Sequence, residues 1–144
     1  MTAPTSIPPE QALQAAMVTA LKGDATLSAL LSPAGAVYDE VPESAGATRY
    51  VTVGDHLSVP DNDLSSFGRE VTVTLHVWTR AKGFTTGQAI ANRINQLLDH
   101  QTGALNPAGH RVVSIRNIFA QAIRDPDQAW RHHILRFRIN TEQE

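Results

Sequence analysis

The chain has 144 residues, of which 42% are hydrophobic and 18% charged, a balance that fits one globular domain and excludes general disorder. Twelve Lys and Arg against fourteen Asp and Glu give a net charge of −2, so nothing marks the whole chain as a nucleic-acid binder. With no cysteine, disulfides, thiolate metal sites and a cysteine nucleophile are excluded, and a reducing compartment fits.

Residues 1–9 include Pro4, Pro8 and Pro9 and have little to bury, so a flexible arm is expected there. This end lacks a basic segment followed by an apolar one, so no secretory signal is expected. No run approaches the roughly 20 apolar residues of a membrane span, and no membrane contact is expected.

Pro8-Pro9-Glu10 opens a helix, because proline is tolerated in the first turn and an early acid favours the positive dipole end. Leu13, Ala16, Met17, Ala20 and Leu21 then form one apolar stripe. Asp24 is placed to cap a second short helix through Leu27, Leu30 and Leu31, which Ser32-Pro33 should end. The segment Ala36 to Pro42 reads as a short edge strand, and 43–47 as a loop. Val51 and Val53 share one face of the next strand, Tyr50 to Gly54. From Asp55 to Gly68 the composition predicts a long polar connection, functional or mobile.

The segment from Gly68 to Arg80 organises the rest. Val71, Val73, Leu75 and Val77 alternate with Glu70, Thr72, Thr74, His76 and Trp78, so one face is aliphatic and the other mostly polar. This is the pattern of a central antiparallel strand covered on one side. A helix follows, with Thr85 or Thr86 as cap and Ile90, Ile94, Leu97 and Leu98 on its apolar face. The next strand, His110 to Ala120, slips in alternation at Asn117 to Phe119, which predicts a bulge or twist. Arg124-Asp125-Pro126-Asp127 is a turn, and Trp130 to Asn140 the last strand.

The order predicts an α+β two-layer sandwich: a mainly antiparallel sheet of four to five strands with two or three helices on one face. The expected organisation is an arm at 1–9, one α+β domain at 10–140 and a solvated tail at 141–144.

No motif here carries chemistry. Asp61-Asn62-Asp63 begins like a calcium loop, but Ser66 and Thr72 stand where that loop needs glycine and glutamate. His132 and His133 point to opposite sides of a strand, and no histidine pair has strand i, i+2 spacing, so no metal is expected. His76 has no acid placed to orient it, and no phosphate loop or serine elbow is present. No enzyme activity and no cofactor are expected.

The uncovered sheet face is more informative. It should carry Tyr50 and Thr52, then Thr72, Thr74, His76 and Trp78, then Ser114, Arg116 and Ile118, then Ile134, Arg136 and Arg138. Tryptophan and arginine without lysine suit a protein interface. A solvated face and a nucleic-acid surface are the alternatives. Trp78, His76, Arg116, Arg136 and Arg138, with Asp61 and Asp63 of the connection, are the candidate contacts with a protein partner.

In sequence order, Leu13-Gln14-Ala15-Ala16, Leu27 to Leu31, Val37 to Pro42, Tyr50 to Gly54, Glu70 to Arg80, Gly109 to Ser114, Arg124 to Asp127 and Arg131 to Arg138 form a pattern. This pattern resembles the tail-completion, or tail-terminator, family of long-tailed bacteriophages, prophages and gene-transfer particles. Gln128 follows Asp-Pro-Asp where many relatives would carry glycine. The resemblance implies a virion protein, assembled in the host cytoplasm, at the head-proximal end of the tail. It implies a homo-hexameric ring that caps the tail tube, stops its polymerisation and meets the head–tail connector proteins. DNA would pass through the ring lumen without sequence-specific binding. A head-closure or other connector protein is the runner-up, and a small α+β enzyme the distant third.

Overall fold

The computed structural model describes residues 3, 4, 6–39 and 46–144. Along the chain lie α1 (Pro9–Lys22), α2 (Ala25–Leu30), β1 (Val37–Tyr38), β2 (Arg49–Pro60), β3 (Gly68–Thr79), α3 (Thr85–Leu98), β4 (His110–Arg124) and β5 (Arg131–Gln143). Among the described residues the strands form one five-stranded sheet in the order β1-β2-β3-β5-β4. Only β1 and β2 pair in parallel; the other neighbours are antiparallel. This is the α+β sandwich expected from the sequence, with β3 at its centre. The long β4–β5 hairpin folds back so that β5, not β4, lies against β3.

The helices bury the aliphatic side of the sheet. Val71, Val73, Leu75 and Val77 of β3 and Leu135, Phe137 and Ile139 of β5 are buried against Leu13, Met17 and Leu21 of α1 and Ile90, Ile94 and Leu98 of α3. Each set follows its own period, two on the strands and near 3.6 on the helices. Asp24 ties two helices together: it accepts from the Leu27 amide at 2.8 Å, capping α2, and from the Arg93 guanidinium of α3 at 2.9 and 2.8 Å. Those bonds, Arg93's first, hold the Asp24 carboxyl below the usual carboxylate range.

Several boundaries differ from expectation, each for a local reason. The connection expected from Asp55 to Gly68 is mostly strand. β2 continues to Pro60, and only 61–67 link it to β3. A bulge between Val53 and His56 inserts one residue and breaks the alternation that marked the first half of β2. The tail expected to be solvated from residue 141 instead continues β5: Thr141 is buried, Glu142 pairs with Gly68 and Gln143 with His110. β4 runs past Ala120 to Arg124, so the turn begins at Asp125 and Trp130 belongs to it. Phe84, not a threonine, occupies the cap position of α3, without a side-chain bond. The expected bulge near Asn117 to Phe119 is present, with a second near Val113. Of the expected edge strand, Glu40, Val41 and Pro42 lie outside the described residues, as do 43–45 of the expected loop. In the N-terminal segment, the Ile7 carbonyl lies 2.9 Å from His110 Nε2, and the Ala3 carbonyl accepts from Gln143 at 2.8 Å.

Candidate functional site on the open sheet face

Parity places the even-numbered residues of β3 and β5 on the side away from the helices, and the pairing register brings them together. Tyr50 lies opposite Trp78, Trp78 opposite His132, and His76 opposite Ile134. Trp78 stacks on His132 with ring centroids 3.8 Å apart and planes 8° apart. Tyr50 stands 6.5 Å from Trp78 and meets Trp130 edge-on at 5.9 Å. His76 Nδ1 lies 2.6 Å from His132 Nε2, a contact in which one neutral ring donates and the other accepts.

The surroundings keep both rings uncharged. Burial and the neighbouring His76 push His132 down to about 4, against an opposing pull from Asp125. Burial also lowers His76, with Asp55 opposing and Arg136 reinforcing. Gly54, at the bulge of β2, makes room for this pair: a Cβ there would stand 2.8 Å from His76 Cδ2. His133, of opposite parity, is buried beneath α3, where a Cβ on Gly87 would come within 2.3 Å of its Cε1.

Further along the same face, Arg116 of β4 lies directly opposite Arg138 of β5. Like charges directly opposite on a sheet are destabilising. Arg138 finds partial relief from Glu70, 3.4 Å away, and the Arg136 guanidinium sits 4.5 Å above the Phe119 ring. Arg116 and Arg136 are exposed. Leu57 and Val59, opposite Thr72 and Glu70, extend this face as apolar residues exposed at 67% and 49%.

The structure therefore gathers the candidates into three places. Trp78 and His76 join a ring cluster; Arg116, Arg136 and Arg138 form a cationic patch beside it; Asp61 and Asp63 lie off the face, at the β2–β3 hairpin tip. Asp63 Oδ1 accepts from the Ser65 and Ser66 amides, each at 2.7 Å, and from both hydroxyls at 3.0 Å. Led by the Ser65 amide, these bonds keep its carboxyl below the usual range. Asn62 Oδ1 accepts from the Gly68 amide, so the resemblance to a calcium loop resolves into a hydrogen-bonded turn.

Sequence reasoning missed His132 as a partner of His76, because it tested histidine spacing within strands and not across them. It missed Leu57 and Val59, which read as loop. It placed Ile118 on the face where the bulge puts Phe119 opposite Arg136 instead. Among the described residues no three His, Asp or Glu side chains are grouped to hold a metal ion, and no helix is long and apolar enough to cross a membrane.

A sheet covered by helices on one side, with aromatic rings and crowded arginines on the other, defines a small α+β domain with one open sheet face. The family model of the tail completion protein gp17 matches residues 15–142. The tail completion protein gp17 of Bacillus phage SPP1 is 36% identical over 110 residues, covering 71% of this chain and 78% of that protein. Among solved structures, a chain from the virion of a native gene transfer agent particle superposes with a TM-score of 0.85 at 32% identity, over 95% of this chain and 99% of that one. The chain belongs to the tail completion protein gp17 family: it is a structural protein of a virion tail and not an enzyme.

Proposed function

We propose that this protein caps the tail tube as a ring of identical subunits, a homo-hexamer, stops tube polymerisation and offers the surface on which the head–tail connector proteins dock. The observation that carries this reading is the open face, where Arg116 and Arg138 lie side by side and, among the described residues, Glu70 at 3.4 Å from Arg138 is the one acid paired with either. Such crowding costs stability in an isolated subunit and is relieved when a partner supplies anions or acceptors. Trp78, His76 and Arg136 complete a surface of the composition favoured at protein contacts. Asp61 and Asp63, on a preformed turn beyond the sheet, are placed to reach a neighbour. The net charge of −2 suits a lumen through which DNA passes without being held.

The test is assembly of particles lacking this chain. Tails are expected to grow past their normal length or to remain unattached beside full heads, and restoring the chain should restore both. Tails of normal length joined to heads in its absence overturn the proposal.

A further inference from the structure

We infer that the β2–β3 hairpin tip of one subunit docks on the arginine patch of the next copy of this chain, and that this repeated contact is what closes the ring. The inference rests on the ring reading and names the surfaces that make it. The tip, residues 61–67, carries Asp61 and Asp63 and no cation. Leu64 projects from it, fully exposed at 100%. The four bonds to Asp63 Oδ1 fix the turn before any partner arrives, so docking need not pay to order it. Glycine at position 68 closes the base of the tip, since a Cβ there would lie 2.2 Å from the Asp61 carbonyl oxygen.

The patch on the open face is complementary in two respects. Arg116 and Arg136 are exposed cations, and Arg138 is only partly neutralised by Glu70. Beside them Phe119, which the β4 bulge puts opposite Arg136 on this face, is only half-buried and offers an apolar edge for a leucine. The two surfaces cannot meet within one chain. Both belong to the same sheet, and along β3 Thr72, the partner of Arg138, and Thr74, the partner of Arg136, lie four and six steps from Gly68: roughly 13 and 20 Å of extended strand. Tip and patch are different surfaces, so the contact is head-to-tail, the kind that builds a ring when its rotation closes on the first subunit.

The experiment uses two charge reversals that leave the Asp63 turn intact, Asp61→Arg and Arg136→Glu, with association read by sedimentation velocity alone and on purified tail tubes. Each variant by itself should associate at least about tenfold more weakly than the unaltered chain, because each juxtaposes like charges. An equimolar mixture of the two should recover assembly in alternating order, since each tip then meets a patch of opposite sign. Leu64→Ser should weaken association without a charge change. If the single variants assemble normally, or the mixture stays as weak as its components, the tip and patch do not meet, while the ring reading stands on the unaltered chain. If the unaltered chain itself forms no ring, in solution or on tubes, the ring reading falls, and this contact with it.

Discussion

Replacing Leu75 with alanine should separate folding from assembly when set against Arg136→Glu. Leu75 is fully buried at the centre of β3, between Val53 of β2 and Leu135 of β5. Leu75→Ala removes three buried carbons, worth about 0.8 kcal/mol each, or about 2.4 kcal/mol of transfer free energy. The cavity left behind adds to this, and such changes cost about 2–5 kcal/mol in all. A domain holds only about 5–15 kcal/mol of stability. At about 3–5 °C per kcal/mol, the melting midpoint should fall by about 6–25 °C. Arg136 is one residue from Leu135 but faces the other way and is exposed. Arg136→Glu forfeits the stacking on Phe119, about 0.5–1 kcal/mol at an exposed site, and gains attraction to Arg138 and Arg116. Its midpoint should move by less than about 4 °C while association weakens. Thermal melts of the dilute subunit and sedimentation of the concentrated one measure both. Comparable unfolding by both variants, or no loss of stability in Leu75→Ala, refutes the assignment of faces.

Asp24→Ala removes the cap of α2 and both bonds to Arg93, and urea titration should show a loss of about 1–2 kcal/mol; less than about 0.5 kcal/mol would mean that water replaces the cap at no cost. Gly68→Ala should destabilise the hairpin base, because its Cβ would collide with the Asp61 carbonyl; hydrogen exchange should quicken in 61–67 and stay unchanged in α3, and uniform protection would contradict this. Stability should also fall with acid. His132 is held at about 4 and His76 is held low, whereas both titrate near 6.5 unfolded. Between those values the unfolded chain binds more protons, so stability is lost as pH drops from about 6.5 towards about 4. Carboxylates such as Asp24 add to the loss at the lower end. The informative comparison is therefore with His132→Asn, whose stability should fall less steeply between pH 6.5 and 5; equal slopes would show that the histidine pair is not responsible.

The faces of the sheet were legible because alternation in β3 and β5 is a local property, and burial follows it residue by residue. Thus Val71 to Val77 and Leu135 to Ile139 were assignable to the core, and Trp78, Arg136 and Arg138 to the open side, without knowing which strands pair. What local pattern does not contain is register. His76 and His132 meet only because Trp78 lies opposite His132, a pairing fixed by the β4–β5 hairpin reversing beside β3. The same is true of Arg116 beside Arg138. Bulges hid the rest: one extra residue near Gly54 turns the strand over, so Leu57 and Val59 keep a spacing of two but face outward among polar neighbours. Gly54 inside a strand was the available signal, since an isolated glycine there often marks a bulge or a close approach. The family resemblance came from the order of segments, and matches to tail completion proteins bear it out.

The most direct test of the ring proposal is an electron-microscopic reconstruction of intact particles, with a label on this chain. The account predicts a closed ring of this subunit at the head-proximal end of the tail tube, with the face bearing Trp78 and Arg136 in contact with protein. Labelled density elsewhere in the particle, or at that junction without a closed ring, would contradict it.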